Sequence, residues 1–153
     1  MSLTVGQAAP AFAMPTDSGS VSLDGLKGKR VVLYFYPKDD TSGCTSEAQG
    51  FKDDIALFAA ANTVIIGVSK DSVASHVKFK AKYDLPFALA SDEDGAVCTA
   101  YDVWKEKSNY GRKYMGIERS TFLIDETGAI RAVWTKVKVT GHTKAVLKAV
   151  QEL

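Results

Sequence analysis

The sequence predicts an α/β fold: a mixed central sheet flanked by helices. Three observations carry that expectation. Two continuous apolar runs, Val31 to Tyr36 and Val64 to Val68, are patterned like strands covered on both faces. Between them apolar residues recur at three- and four-residue steps, as on one buried face of a helix, which makes a parallel strand–helix–strand crossover. Later, Ser120 to Ile124 and Ala129 to Trp134 flank the turn Asp125-Glu126-Thr127-Gly128, the pattern of an antiparallel hairpin.

The elements follow in order. Gly6 to Gly19 reads as an extended N-terminal lead-in, punctuated by Pro10 and Pro15 and closed by a turn at Asp17-Ser18-Gly19. Ser20 to Leu23 is a short strand, and Asp24 to Gly28 a loop. After the first apolar strand a long helix begins at Cys44, buries Ala48, Phe51, Ile55 and Phe58, and ends at Asn62. The second strand follows. Asp71 or Ser72 then caps a helix to about Tyr83, and Pro86 forbids its extension. Phe87 to Leu89 fits a short strand, Ser91 to Gly95 a loop, and Ala96 to Tyr101 a short helix anchored by Val97, Tyr101 and Trp104. Lys105 to Gly116 is polar and contains glycine, so it reads as a surface loop. The hairpin comes next, and after Gly141 a last helix sets Val146, Leu147, Val150 and Leu153 on one side. No repeat, low-complexity tract or long linker divides the chain, so one domain over residues 1–153 is expected.

Composition narrows the function classes. With 46% hydrophobic and 24% charged residues in 153, the chain suits a single good-sized core. A net charge of +1 gives no reason to expect nucleic acid or an anionic membrane as partner. No apolar run approaches the roughly 18 residues of a membrane span. Met1 to Gly6 lacks the basic start and apolar stretch of a secretory signal, so the cytoplasm is the expected compartment. Two cysteines there make no disulfide scaffold; each is either inert in a core or chemically employed. His76 and His142 have no cysteine partners at metal spacing, and no metal or organic cofactor is expected. His76 reads as a helix-surface residue and His142 as the start of the last helix.

Cys44 stands where the first strand hands over to a helix. Unpaired backbone amides and the positive end of the helix dipole face a sulfur in that position, and they favour the reactive thiolate. Its neighbours Thr41, Ser42, Gly43, Thr45 and Ser46 are small and polar, unlike a core environment. Thr41 is a turn residue whose hydroxyl can reach into the first helical turn, there to donate to the thiolate or to a bound oxygen. Pro37 ends the strand and would wall one side of a site. Glu47 occupies the place of a second cysteine in a Cys-x-x-Cys pair, which argues against a thiol–disulfide oxidoreductase.

Pro37-x-x-x-Thr41-x-x-Cys44 resembles the peroxiredoxin signature, and Tyr36 to Thr41 with Gly43-Cys44-Thr45-x-Glu47-Ala48 resembles its bacterioferritin comigratory protein (PrxQ) branch. The likeness extends through Val5-Gly6-x-x-Ala9-Pro10-x-Phe12 and Val68-Ser69-x-Asp71-Ser72. It continues in Lys78-Phe79-x-x-Lys82-Tyr83-x-Leu85-Pro86-Phe87 and Gly116-Ile117-x-Arg119-x-Thr121-Phe122-Leu123-Ile124-Asp125. The resemblance implies a thioredoxin-like fold with an N-terminal extension. It also implies reduction of hydrogen peroxide and organic hydroperoxides by a thiolate that becomes a sulfenic acid. Carried over residue by residue, it makes Cys44 the peroxidatic nucleophile, with Thr41, Arg119 and Pro37 around the peroxide and the Gly43 amide in support. Arg119, read without the resemblance, would be a solvated surface cation. Glu47 is either the group that orients Arg119 or a plain helix-start carboxylate.

Two departures from the branch pattern stand out. Ser42 occupies a position where proline is usual, which is expected to alter loop stiffness. Gln49 stands where many relatives carry a resolving cysteine, and no cysteine lies between Asp71 and Tyr83 either. Cys98 is the one other thiol, and packing with Val97 and Tyr101 is its favoured role over resolution. The sulfenic acid then requires an outside thiol: thioredoxin, glutaredoxin or glutathione, or a second subunit. The branch is often monomeric, which implies a monomer or weak dimer here. A rival reading is a redox-sensing or chaperone-like thiol protein without turnover.

Overall fold

The computed structural model describes residues 3–153. Its first half runs β1 (Ala13–Thr16), β2 (Gly19–Ser22), a 3-10 turn (Asp24–Leu26), β3 (Arg30–Phe35), α1 (Ser42–Asp53), α2 (Ile55–Ala60) and β4 (Thr63–Ser69). The second half runs α3 (Val73–Tyr83), β5 (Ala88–Ser91), α4 (Ala96–Ala100), β6 (Trp104–Asn109), β7 (Arg112–Ile117), β8 (Ser120–Ile124), β9 (Ile130–Trp134) and α5 (His142–Gln151). Seven strands form one mixed sheet in the order β2-β1-β5-β4-β3-β8-β9, while β6 and β7 pair separately. Among the described residues, no helix is long and apolar enough to cross a membrane.

Strands β3, β4 and β5 are parallel neighbours, and β8 and β9 continue the sheet antiparallel to β3. Because both parallel crossovers step in the same direction and take the usual right-handed path, their helices land on the same face. Alternation along the strands then builds two cores. Val32, Tyr34 and Tyr36 pack on one face with Phe51, Phe58, Phe79 and Val146 from α1, α2, α3 and α5. Val31, Leu33 and Phe35 pack on the other with Phe12, Val97, Cys98 and Tyr101. The expected mixed sheet between helices is thus the observed architecture.

Four local expectations need correction. The long helix from Cys44 to Asn62 is broken at Asp54, whose backbone (φ −110°, ψ 16°) ends α1 and starts α2. Phe51 and Phe58, on either side of the break, still enter the same core, ring centroids 5.9 Å apart. The lead-in contains β1, which pairs with β2 across the predicted turn. Lys105 to Gly116 is no loop but the β6–β7 hairpin. Its turn residues Tyr110 and Gly111 both take positive φ, 54° and 75°, as a two-residue hairpin turn demands. The hairpin is largely exposed, so it has no apolar alternation by which to be read.

The last correction concerns His76, which is fully buried on the inner face of α3. Its Nε2 lies 3.0 Å from the Ala90 carbonyl and its Nδ1 2.7 Å from Asp39 Oδ2. A carbonyl can only accept, so Nε2 carries a proton.

Candidate active site

The loop from Tyr36 to Thr41 joins β3 to α1, and α3 holds it in place. Asp39 is the fastening point. Its carboxylate accepts from the Tyr36 hydroxyl (2.5 Å) and the Ser75 hydroxyl (2.8 Å), and it meets His76. The Asp39 amide donates to Asp71 Oδ2 at 2.8 Å. Asp40, in the left-handed region at φ 59°, accepts from Lys82 and Tyr83 of the same helix. The pairing of Asp39 with His76 carried no signal in the sequence, because it spans 37 positions of chain.

Thr41 is the N-cap of α1, with extended backbone (φ −92°, ψ 158°). Its hydroxyl donates to the Lys38 carbonyl at 2.9 Å and makes no capping bond. The single hydroxyl proton is therefore committed, and towards a ligand Thr41 offers lone pairs, in contrast to the donor role expected. The Thr45 amide donates to the Thr41 carbonyl, so the amides of Ser42, Gly43 and Cys44 precede the helical ladder.

Cys44 is the third residue of α1 and, at 1% exposure, is turned inward. The polar neighbours Thr41, Ser42 and Ser46 stay at the surface, as their chemistry suggests, while Cys44, Glu47, Ala48 and Phe51 form the buried helix face. The sulfur is consequently more enclosed than its sequence neighbours imply.

Arg119 precedes β8, and its side chain is 15% exposed. Its Nη2 donates to Cys44 Sγ at 3.3 Å, and Nη1 donates to Glu47 Oε1 at 2.6 Å. One planar fork therefore spans the thiol and the carboxylate. Gly43 leaves room for it: a Cβ there would stand 3.2 Å from Nη2. Burial works against the Arg119 charge, but Glu47 and Cys44 outweigh it, so its pKa is raised further.

Glu47 is fully buried, and burial pushes its carboxyl up to about 7 against the downward pull of Arg119. Its second oxygen, Oε2, has no hydrogen-bond partner among the described residues and lies 3.8 Å from His142 Nε2. His142 bonds Thr121 Oγ1 at 2.8 Å. Burial, helped by the Arg119 charge, lowers its pKa to about 4, so it is neutral near pH 7. Tyr34 completes the floor, its hydroxyl buried without a partner among the described residues and its ring 4.8 Å from that of Phe51. The sequence offered no sign of the closeness of His142 and Tyr34 to Glu47.

Pro37 is exposed and lines a cavity of about 420 Å³ shared with the β6–β7 hairpin. Ser42 is exposed at the first position of α1, where proline's fixed φ is also well accommodated. Gln49 is exposed. Cys98 lies in the core on the opposite face of the sheet.

The sequence model of the AhpC/TSA family matches residues 5–133. A putative peroxiredoxin bcp of Coxiella burnetii is 59% identical over 148 residues, covering 96% of this chain and 98% of its own. A PrxQ mutant of Xylella fastidiosa superimposes with a TM-score of 0.94 at 38% identity, covering 99% of this chain and 98% of that one. The bacterioferritin comigratory protein of Xanthomonas campestris, a protein with alkyl peroxide reduction activity, superimposes at 0.88 with 45% identity, covering 92% and 90%.

Proposed function

The chain belongs to the AhpC/TSA family, among its Bcp/PrxQ peroxiredoxins, and from that premise we propose that Cys44 is the nucleophile of its thiol-dependent peroxidase reaction. The observation that carries this is the 3.3 Å contact of Arg119 Nη2 with the sulfur at the start of α1. The guanidinium and the unladdered amides of Gly43 and Cys44 favour negative charge at that point. As thiolate, Cys44 attacks one peroxide oxygen; a sulfur–oxygen bond forms as the oxygen–oxygen bond breaks. The sulfur becomes sulfenic acid, and the leaving oxygen takes up a proton to depart as water or alcohol. Arg119 stabilises the charge that develops on the leaving oxygen, Thr41 accepts from the peroxide's O–H, and Pro37 bounds the space. Glu47 is the positioning residue that holds the guanidinium.

The substrates under this reading are hydrogen peroxide and organic hydroperoxides. Resolution is of the one-cysteine kind. A disulfide needs Cα atoms within about 7 Å, and the sheet stands between Cys44 and Cys98. The sulfenic acid is then reduced by a thiol from outside: thioredoxin, glutaredoxin or glutathione. The enzyme is a monomer or weak dimer working in the cytoplasm.

One observation favours a second reading. Cys44 is 1% exposed, as suits a sensor or chaperone-like protein that oxidises slowly and does not turn over. Steady-state peroxide consumption with excess thiol separates the two. Many turnovers per Cys44 support the peroxidase, and a single stoichiometric oxidation supports the sensor.

A further inference from the structure

Lys38, Lys70 and Lys107 line one cavity beside Pro37, and none of them has an ion-pair partner among the described residues. Elsewhere lysines such as Lys80, Lys82, Lys105 and Lys144 are paired with carboxylates. Lys70 Nζ sits 4.1 Å from the Trp104 ring centroid, which holds its charge at the rim. Burial and then the Arg119 charge lower the Lys107 pKa, while Cys44 and Glu118 act in the opposite sense. Pro37 and Lys38, which also line the cavity, belong to the loop that leads from β3 into α1, so the cavity opens on the side of the fold where Cys44 begins its helix. Trp104, Met115 and Ile117 supply apolar wall.

Three like charges around one space of about 420 Å³ repel each other until an anion enters. Hydrogen peroxide is neutral and needs neither the volume nor the cations. A long-chain monocarboxylic acid would use one cation at one end. The second half-reaction, however, requires a thiol that approaches Cys44 from outside. We propose that this cavity seats a compact small-molecule thiol bearing two or more carboxylates, held by Lys38, Lys70 and Lys107 with its sulfur towards Cys44.

The step balances without another reactant. The incoming thiol attacks the sulfenyl sulfur; a sulfur–sulfur bond forms, the sulfur–oxygen bond breaks, and hydroxide leaves with the thiol proton as water. A second thiol attacks the mixed disulfide and releases Cys44 with a symmetric disulfide. Two electrons come from the two small thiols.

The inference rests on Cys44 being the oxidised thiol, and the test separates the two. Wild-type protein is oxidised with one equivalent of hydrogen peroxide, then mixed with glutathione or its diethyl ester, and mixed disulfide is followed by quenched mass spectrometry. Glutathione is expected to react roughly tenfold faster than the ester at low salt, the ratio falling towards one at about 0.5 M salt. Changing Lys70→Met with Lys107→Met should erase the ratio, and Lys148→Met should keep it. Binding of S-methylglutathione to the reduced protein, measured by calorimetry, reads the cavity without any oxidation and should be lost in the double variant. Failure of Cys44 to oxidise sinks the peroxidase reading, and the calorimetry still decides the cavity. A wild-type ratio near one, or S-methylglutathione binding that survives the double variant, overturns the proposal.

Discussion

Cys44 and Cys98 occupy equivalent places, each the third residue of its helix and each about 1% exposed or less, yet their electrostatic settings are opposite. At α4 the Asp92 carboxylate accepts from the Val97 amide (3.1 Å) and the Cys98 amide (2.7 Å), so the helix start is already capped by an anion. Burial, followed by that same carboxylate, pushes the Cys98 thiol well up in pKa. At α1 no side chain caps the amides, and a guanidinium touches the sulfur instead. Helix position alone therefore does not prepare a cysteine for chemistry. The sign of the charge brought beside it does.

The comparison can be broken in several places. Cys44→Ser has the largest expected effect, reducing peroxide consumption to the uncatalysed rate in a coupled thiol assay. Arg119→Ala removes the cation while leaving the sulfur in place, and should slow Cys44 oxidation by roughly 10²–10³-fold in stopped-flow fluorescence. Its circular dichroism should be unchanged. Retention of the wild-type rate would falsify the role assigned to the guanidinium.

A smaller effect follows from Glu47. Its carboxyl holds a proton up to about pH 7, and the carboxylate present above that pH is the form that pairs with Arg119. As pH falls through about 7 the ion pair becomes a hydrogen bond from the guanidinium cation to a neutral carboxyl, so this contribution to the oxidation rate is lost on the acid side. Glu47→Gln should run at roughly a tenth of the wild-type rate and lack that step in its pH profile. A variant that keeps the step assigns it to another group. Least is expected of Cys98→Ala: oxidation rates within about twofold of wild type, and a loss near 1 kcal/mol in urea unfolding from the small space opened.

Much of the fold was legible because its central strands are apolar on both faces and its turns carry glycine and aspartate. Val31 to Tyr36, Val64 to Val68 and the hairpin around Asp125 to Gly128 lie where their patterns indicate. The β6–β7 hairpin escaped notice because strand pairing there rests on backbone bonds and a Tyr110-Gly111 turn, with little buried to impose alternation. The helix break at Asp54 escaped for the reverse reason: Phe51, Ile55 and Phe58 keep helical spacing across it. In the candidate site the local pieces lie close together in sequence, Thr41 as the N-cap of α1 and Gly43, Cys44 and Glu47 within its first two turns. Arg119 was readable through family resemblance alone. His142 does begin the last helix, as its position indicated, but the burial and partners of His76 and His142 were not readable, because contacts with Asp39, Thr121 and Glu47 are products of tertiary structure.

One measurement bears most directly on the contrast between the two thiols: peptide mapping of the protein after a single equivalent of hydrogen peroxide. Oxygen gained at Cys44, with Cys98 still a free thiol after denaturation, is the predicted result. Oxidation appearing first at Cys98, or a disulfide joining the two, would contradict it.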